Sequence, residues 1–152
     1  MYKRYGKEPF RKDCFTPVRN RNFPASKPIG GIWASPEDAE LSWEVWCREN
    51  MPEFIKGKNV YRFSLEGANV LHVRSRSDLS NLPVLQDFNK MCFTDIEYLD
   101  FEKLSDMYDA IELHLSEGDY RLSQALYGWD CDSVLIMNPE VIKNEEEVER
   151  RA

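Results

Sequence analysis

The stretch Leu126-Tyr127-Gly128-Trp129-Asp130-Cys131-Asp132-Ser133-Val134-Leu135-Ile136-Met137-Asn138-Pro139 sets two carboxylates directly ahead of the most apolar run in the chain. A short continuous apolar run bounded by turn residues is the pattern of a strand covered on both faces, and Asn138-Pro139 stops it. This strand is expected at the centre of a sheet. If strand geometry already holds over 130–132, Asp130 and Asp132 point to the same side, because side chains repeat every second residue. Otherwise the pair sits in a solvated loop, with Asp132 as a turn residue. Paired carboxylates recur in sites that stabilise developing positive charge. If the chain has a chemical site, it lies where 27–35 meets 127–132.

Working outward, residues 109–115 alternate Ile111, Leu113 and Leu115 with polar neighbours, and 59–65 alternate Tyr61, Phe63 and Leu65 with Arg62 and Ser64. Both patterns predict strands. Turn residues 66–69 lead into a further strand at 70–73, and residues 1–6 and 29–35 supply two more. Ser35 as N-cap, Pro36 at the first helical position and Glu37-Asp38 in the first turn predict a helix over 35–50. Its Ala39, Trp43, Trp46 and Cys47 form one apolar stripe, so the two tryptophans read as packing residues. Residues 78–82 suit a helical turn before Pro83, and Asp100 caps a helix over 101–107. The proline-punctuated 7–27 is an irregular connection. The Glu- and Arg-rich tail 143–152 is expected to be a solvated helix or disordered.

Strands interleaved with two clear helices predict an α+β fold, a mixed and mostly antiparallel sheet with packed helices. With 152 residues, 42% of them hydrophobic, one domain over 1–142 is expected, followed by the charged tail 143–152. Neither GxGxxG nor a P-loop follows any strand, which argues against those nucleotide folds. Cys14, Cys47, Cys92 and Cys131 are widely spaced, and the N-terminus has no apolar signal core. A reducing cytosol, hence a cytoplasmic location, is expected, and no apolar run reaches the roughly 20 residues that span a bilayer.

The net charge of −7 is uneven, because eight Lys/Arg against Glu8 and Asp13 give +6 within residues 1–30 and leave −13 on the rest. Such a stretch suits the phosphates of a nucleotide or a nucleic acid, or is a solvated basic face. His72 and His114 fall in strands with no Cys or second His at a ligand spacing, so no metal site is expected. No cysteine has a basic neighbour that would activate it as a nucleophile.

Lys27-Pro28-Ile29-Gly30-Gly31-Ile32-Trp33-Ala34-Ser35, Ser42-Trp43-Glu44-Val45-Trp46-Cys47 and Leu126 to Asp132, followed by Val134 to Pro139, resemble a group of small bacterial and phage proteins. Those in turn resemble the ADP-ribosyltransferases. That superfamily carries an Arg or His on its first strand, a Ser on its second, and an acid at the start of a late strand, often preceded two positions earlier by Gln or Glu. Arg4, Ser35, Asp132 and Asp130 match in order. Asp132 stands where the superfamily usually has Glu, one methylene longer.

The resemblance implies an ADP-ribosyltransferase-like fold and NAD as substrate. Arg4 would hold the phosphates, Ser35 the nicotinamide-side ribose, and Gly30-Gly31 would let the backbone approach the nicotinamide. Trp33 or Tyr5 would stack on the ring. Asp132 would stabilise the oxocarbenium charge, and Asp130 would orient or deprotonate a protein or nucleic-acid acceptor. The alternative the residues leave open is an inactive inhibitor or regulator of the same fold, of phage or mobile-element type, that docks on a protein.

Overall fold

The computed structural model describes residues 1–91 and 96–149. Cys92 and residues 150–152 of the expected tail lie outside the described residues. In chain order the elements are β1 (Tyr2–Gly6), β2 (Ile32–Pro36), α1 (Trp43–Asn50), β3 (Asn59–Ser64), β4 (Val70–Val73), α2 (Gln86–Met91), α3 (Phe101–Met107), β5 (Ala110–Leu113), α4 (Tyr120–Ala125), β6 (Ser133–Ile136) and β7 (Lys143–Val148). The strands form one sheet in the order β4-β5-β6-β2-β1-β3-β7, with β4 and β5 parallel and every other pair antiparallel. This is the mixed, mostly antiparallel α+β architecture expected.

The apolar run of β6 is buried along its whole length and paired on both sides, to β5 and β2. Its alternation feeds two cores. Leu135 packs with Ile111, Leu113, Val73, Phe101, Leu104, Leu122 and Trp129. Val134 and Ile136 face the other way, onto Ala34, Phe63, Leu65 and Ala110. No helix among the described residues is long and apolar enough to cross a membrane.

Asp100 caps α3 by accepting from the Lys103 N–H, as its position predicts. The first long helix differs from expectation: it starts at Trp43, capped by Ser42, whose side chain accepts from the Val45 N–H. Ser35 and Pro36 instead pair with Lys3 and Tyr2 in the sheet. Backbone ladder bonds to β1 there outweigh the local capping signal. Two short helices, α2 and α4, are additional to the two expected; Asp119 caps α4 through the Arg121 and Leu122 amides.

The charged tail is a further correction, since Lys143–Val148 is an edge strand on β3 rather than a helix or disordered. Its acids meet arginines across the sheet: Glu145 binds Arg4, and Glu146 binds Arg62. Opposite charges on facing strands stabilise a pairing that composition alone disfavours. Strand pairing therefore continues past residue 142.

Gly31 has φ +71°, and a Cβ there would lie 2.5 Å from Leu135 Cδ1 and 3.1 Å from the Ile136 carbonyl oxygen. Strain of the left-handed backbone and the contact with β6 act together. Gly31→Ala is expected to lose about 2 kcal/mol of stability, measured by urea denaturation.

Candidate functional site

The two segments singled out from sequence do meet. Trp129 Nε1 donates to the Ser26 carbonyl at 2.8 Å, the Ser26 hydroxyl donates to the Tyr127 carbonyl, and the Trp33 and Trp129 rings pack edge to face with centroids 4.8 Å apart. Beside this junction lies a cavity of about 320 Å³ whose lining includes Tyr5, Lys27, Trp33, Ser35, Trp43 and Asp130, and to which Arg4 also contributes. A second hollow of about 690 Å³ adjoins it, sharing Arg4, Tyr5 and Trp33 and adding Arg21, Gly30 and Gly31. Ligand sites usually enclose roughly 300–1,000 Å³, so the pair offers room for an elongated ligand.

Each lining group has a structural reason for its position. Ser35 pairs with Lys3, and two-residue alternation puts Trp33, Ser35, Lys3 and Tyr5 on one face of β2 and β1. The Ser35 hydroxyl also accepts from the Trp43 N–H at 2.9 Å, which fixes α1 against the rim. Trp43 stacks on Trp46 at 5.1 Å and on Phe54 at 6.0 Å, and both tryptophans are only half-buried. Trp43 is thus a wall of the cavity as well as a packing residue. Lys27 places its ammonium 5.3 Å from the Trp33 ring centroid.

Asp130 and Asp132 part company. Strand β6 begins only at Ser133, so two-residue alternation does not hold over 130–132, and the Asp132 amide donates to the Leu41 carbonyl at 2.8 Å rather than to a neighbouring strand. Asp130 is exposed and lines the cavity, where it is the only carboxylate among the lining residues. Asp132 is 3% exposed and accepts from the Ser116 N–H at 2.8 Å and the Ser116 hydroxyl at 2.5 Å. The expected shared side is not realised: Asp132 anchors the turn at Leu115–Glu117 and does not line the cavity.

Arg4 also differs from its expected role. Its side chain shares a face of β1 with Tyr2, packs over the Tyr61 ring at 4.5 Å, and forks onto Glu145 of β7 at 2.8 and 2.9 Å. Bidentate pairing of this kind leaves little of the guanidinium for a phosphate. Arg4→Ala is expected to cost about 2 kcal/mol of stability through the stranded Glu145 carboxylate, checked by a urea melt.

Gly30 and Gly31 border the second hollow, but their Cβ directions are filled by protein: Pro17 and Thr16 carbonyl oxygens at Gly30, Leu135 and Val18 at Gly31. They serve close packing of the 16–18 segment and β6 rather than an open approach to a nicotinamide. Burial pushes the Cys131 thiol up, with Ser133, Lys27 and Ser35 opposing it, so the thiol in the cavity wall stays protonated near neutrality.

Sequence reasoning did not single out Lys27 or Trp43 as lining groups. It also missed that pairing of β4 with β5 brings His72 and His114 together beside Glu112. No spacing signal could find that trio, because it depends on which strands pair. No family model matches the chain, and no curated protein or solved structure matches it.

Proposed function

We propose that this cavity binds NAD and that the protein is an ADP-ribosyltransferase-like enzyme acting in the reducing cytosol. The observation that carries the reading is the convergence of an aromatic face, a hydroxyl, an ammonium and one accessible carboxylate on a single cavity: Trp33, Ser35, Lys27 and Asp130. Strands β1, β2 and β6, those expected to bear the site, are also neighbours in the sheet. That adjacency supports an ADP-ribosyltransferase-like fold.

In this reading Lys27 takes the pyrophosphate, Trp33 stacks on a ring, and the Ser35 hydroxyl, while accepting from the Trp43 amide, donates to the ribose. Cleavage breaks the bond between the nicotinamide nitrogen and ribose C1′, and the electron pair leaves with nicotinamide. Asp130 supplies fixed negative charge beside the positive charge that develops on the ribose, in a partly enclosed site where such charge is effective. A nucleophile of a protein or nucleic acid, or water, then bonds to C1′ and releases its proton to solvent.

Nicotinamide release from NAD by the purified chain tests this. Release that falls when Lys27 is changed to Glu supports the reading; no release with any acceptor class overturns it. A second reading has specific support: Arg4 and Asp132, two groups the transferase resemblance requires, are committed to Glu145 and Ser116. The protein would then be a docking module of the same fold, a regulator without turnover. One stable protein partner recovered by pull-down, with NAD inert, distinguishes it.

A further inference from the structure

The geometry points to a divalent transition-metal site, of the kind that takes Zn²⁺, built from His72, Glu112 and His114. Strands β4 and β5 run parallel with His72 opposite Glu112, and His114 lies two residues beyond Glu112 on the same side. Their ligating atoms all lie within 4.8 Å of one another. His72 Nδ1 is 2.9 Å from His114 Nε2, His114 Nε2 is 3.2 Å from Glu112 Oε1, and His72 Nδ1 is 3.9 Å from Glu112 Oε2. Tetrahedral zinc with bonds of about 2.0–2.1 Å separates its donors by roughly 3.3 Å. The imidazole–imidazole and His114–carboxylate separations lie close to that value, and the 3.9 Å contact of His72 is to the other carboxylate oxygen.

The surroundings orient these donors as metal ligands. His114 Nδ1 faces Glu117 Oε1 at 3.3 Å, and a proton held there leaves the Nε2 lone pair directed at the cluster. Tyr2 reaches across the sheet and donates its hydroxyl to Glu112 Oε2 at 2.5 Å, fixing the carboxylate. Glu112 is 5% exposed, on the face that carries Ala110, Val134 and Ile136. A carboxylate buried there is stabilised by hydrogen bonds and by any cation held beside it. The His72 side chain is 40% exposed, so the fourth position opens to solvent and can take water or an anion. Two imidazoles with one carboxylate favour zinc over magnesium or calcium, which prefer all-oxygen donors.

This site is separate from the cavity at Asp130, and its test is independent of NAD. The full chain, stripped with chelator, is titrated with Co²⁺ and then Zn²⁺. One equivalent of Co²⁺ with visible d–d absorption of tetrahedral intensity, displaced by Zn²⁺, is expected. His72→Ala and His114→Ala should each weaken Zn²⁺ binding at least about 100-fold, and Glu117→Gln roughly 10-fold. Cys14→Ser should change nothing. Because a Glu112 variant risks misfolding, the exposed His72 carries the decision, with circular dichroism confirming its fold. No stoichiometric binding by the unaltered chain, or unchanged binding in folded His72→Ala, overturns the site.

Discussion

Asp130→Asn is expected to lower nicotinamide release from NAD by about 10²–10³-fold while moving the unfolding free energy by no more than about 0.5 kcal/mol. The side chain is exposed at the cavity, so its removal strands no buried partner. The amide keeps the shape of the carboxylate and loses only its charge. A fall in turnover at unchanged stability therefore isolates electrostatic stabilisation of the ribose cation. Should turnover persist, Asp130 has no catalytic role and the chemistry belongs to another group.

Asp132→Ala should produce the opposite pattern. Both oxygens of this buried carboxylate accept hydrogen bonds from Ser116, whose amide and hydroxyl would lose their acceptor. Hydrogen bonds to a charged group contribute about 1.5–3 kcal/mol each, and partial relaxation of the turn offsets some of that. A loss of about 3–4 kcal/mol is expected by chemical denaturation. Ser116→Ala, which removes only the hydroxyl, should cost about 1–2 kcal/mol. Turnover per folded molecule should persist in both. If Asp132→Ala instead abolished nicotinamide release at full stability, the roles of the two acids would be reversed.

The parts of the fold that were legible in the sequence are those governed by local pattern. Val134 to Met137 announced a buried strand, Tyr61 and Phe63 alternated onto one face, and Asp100 marked a helix start; the structure carries all three. Where distant partners decide, the pattern misled. Ser35-Pro36 has the chemistry of a helix start, yet β1 captures it as strand. A run rich in glutamate is solvated as its composition suggests, yet it forms a strand, with Arg4 and Arg62 meeting Glu145 and Glu146 across the sheet.

The candidate site divides the same way. Tyr5, Trp33, Ser35 and Asp130 converge because β1, β2 and the segment before β6 are adjacent, and the motifs at 27–35 and 127–132 pointed to that meeting. Asp132 lies outside the cavity and the Arg4 guanidinium is held by Glu145, both for reasons outside their own segments. Ser116 lies in another turn, and Glu145 in the last strand. The histidine cluster was likewise illegible, since the parallel register of β4 against β5 alone creates it.

Thermal unfolding of the unaltered chain with and without NAD addresses the proposed role of the cavity most directly. A ligand at about 100 times its dissociation constant adds about 2.7 kcal/mol to the folded state, which for a domain of this size raises the midpoint by roughly 5–10 °C. That rise is expected with NAD, and it should shrink when Lys27 becomes Glu. A midpoint that stays put at millimolar NAD would contradict a dinucleotide site beside Asp130.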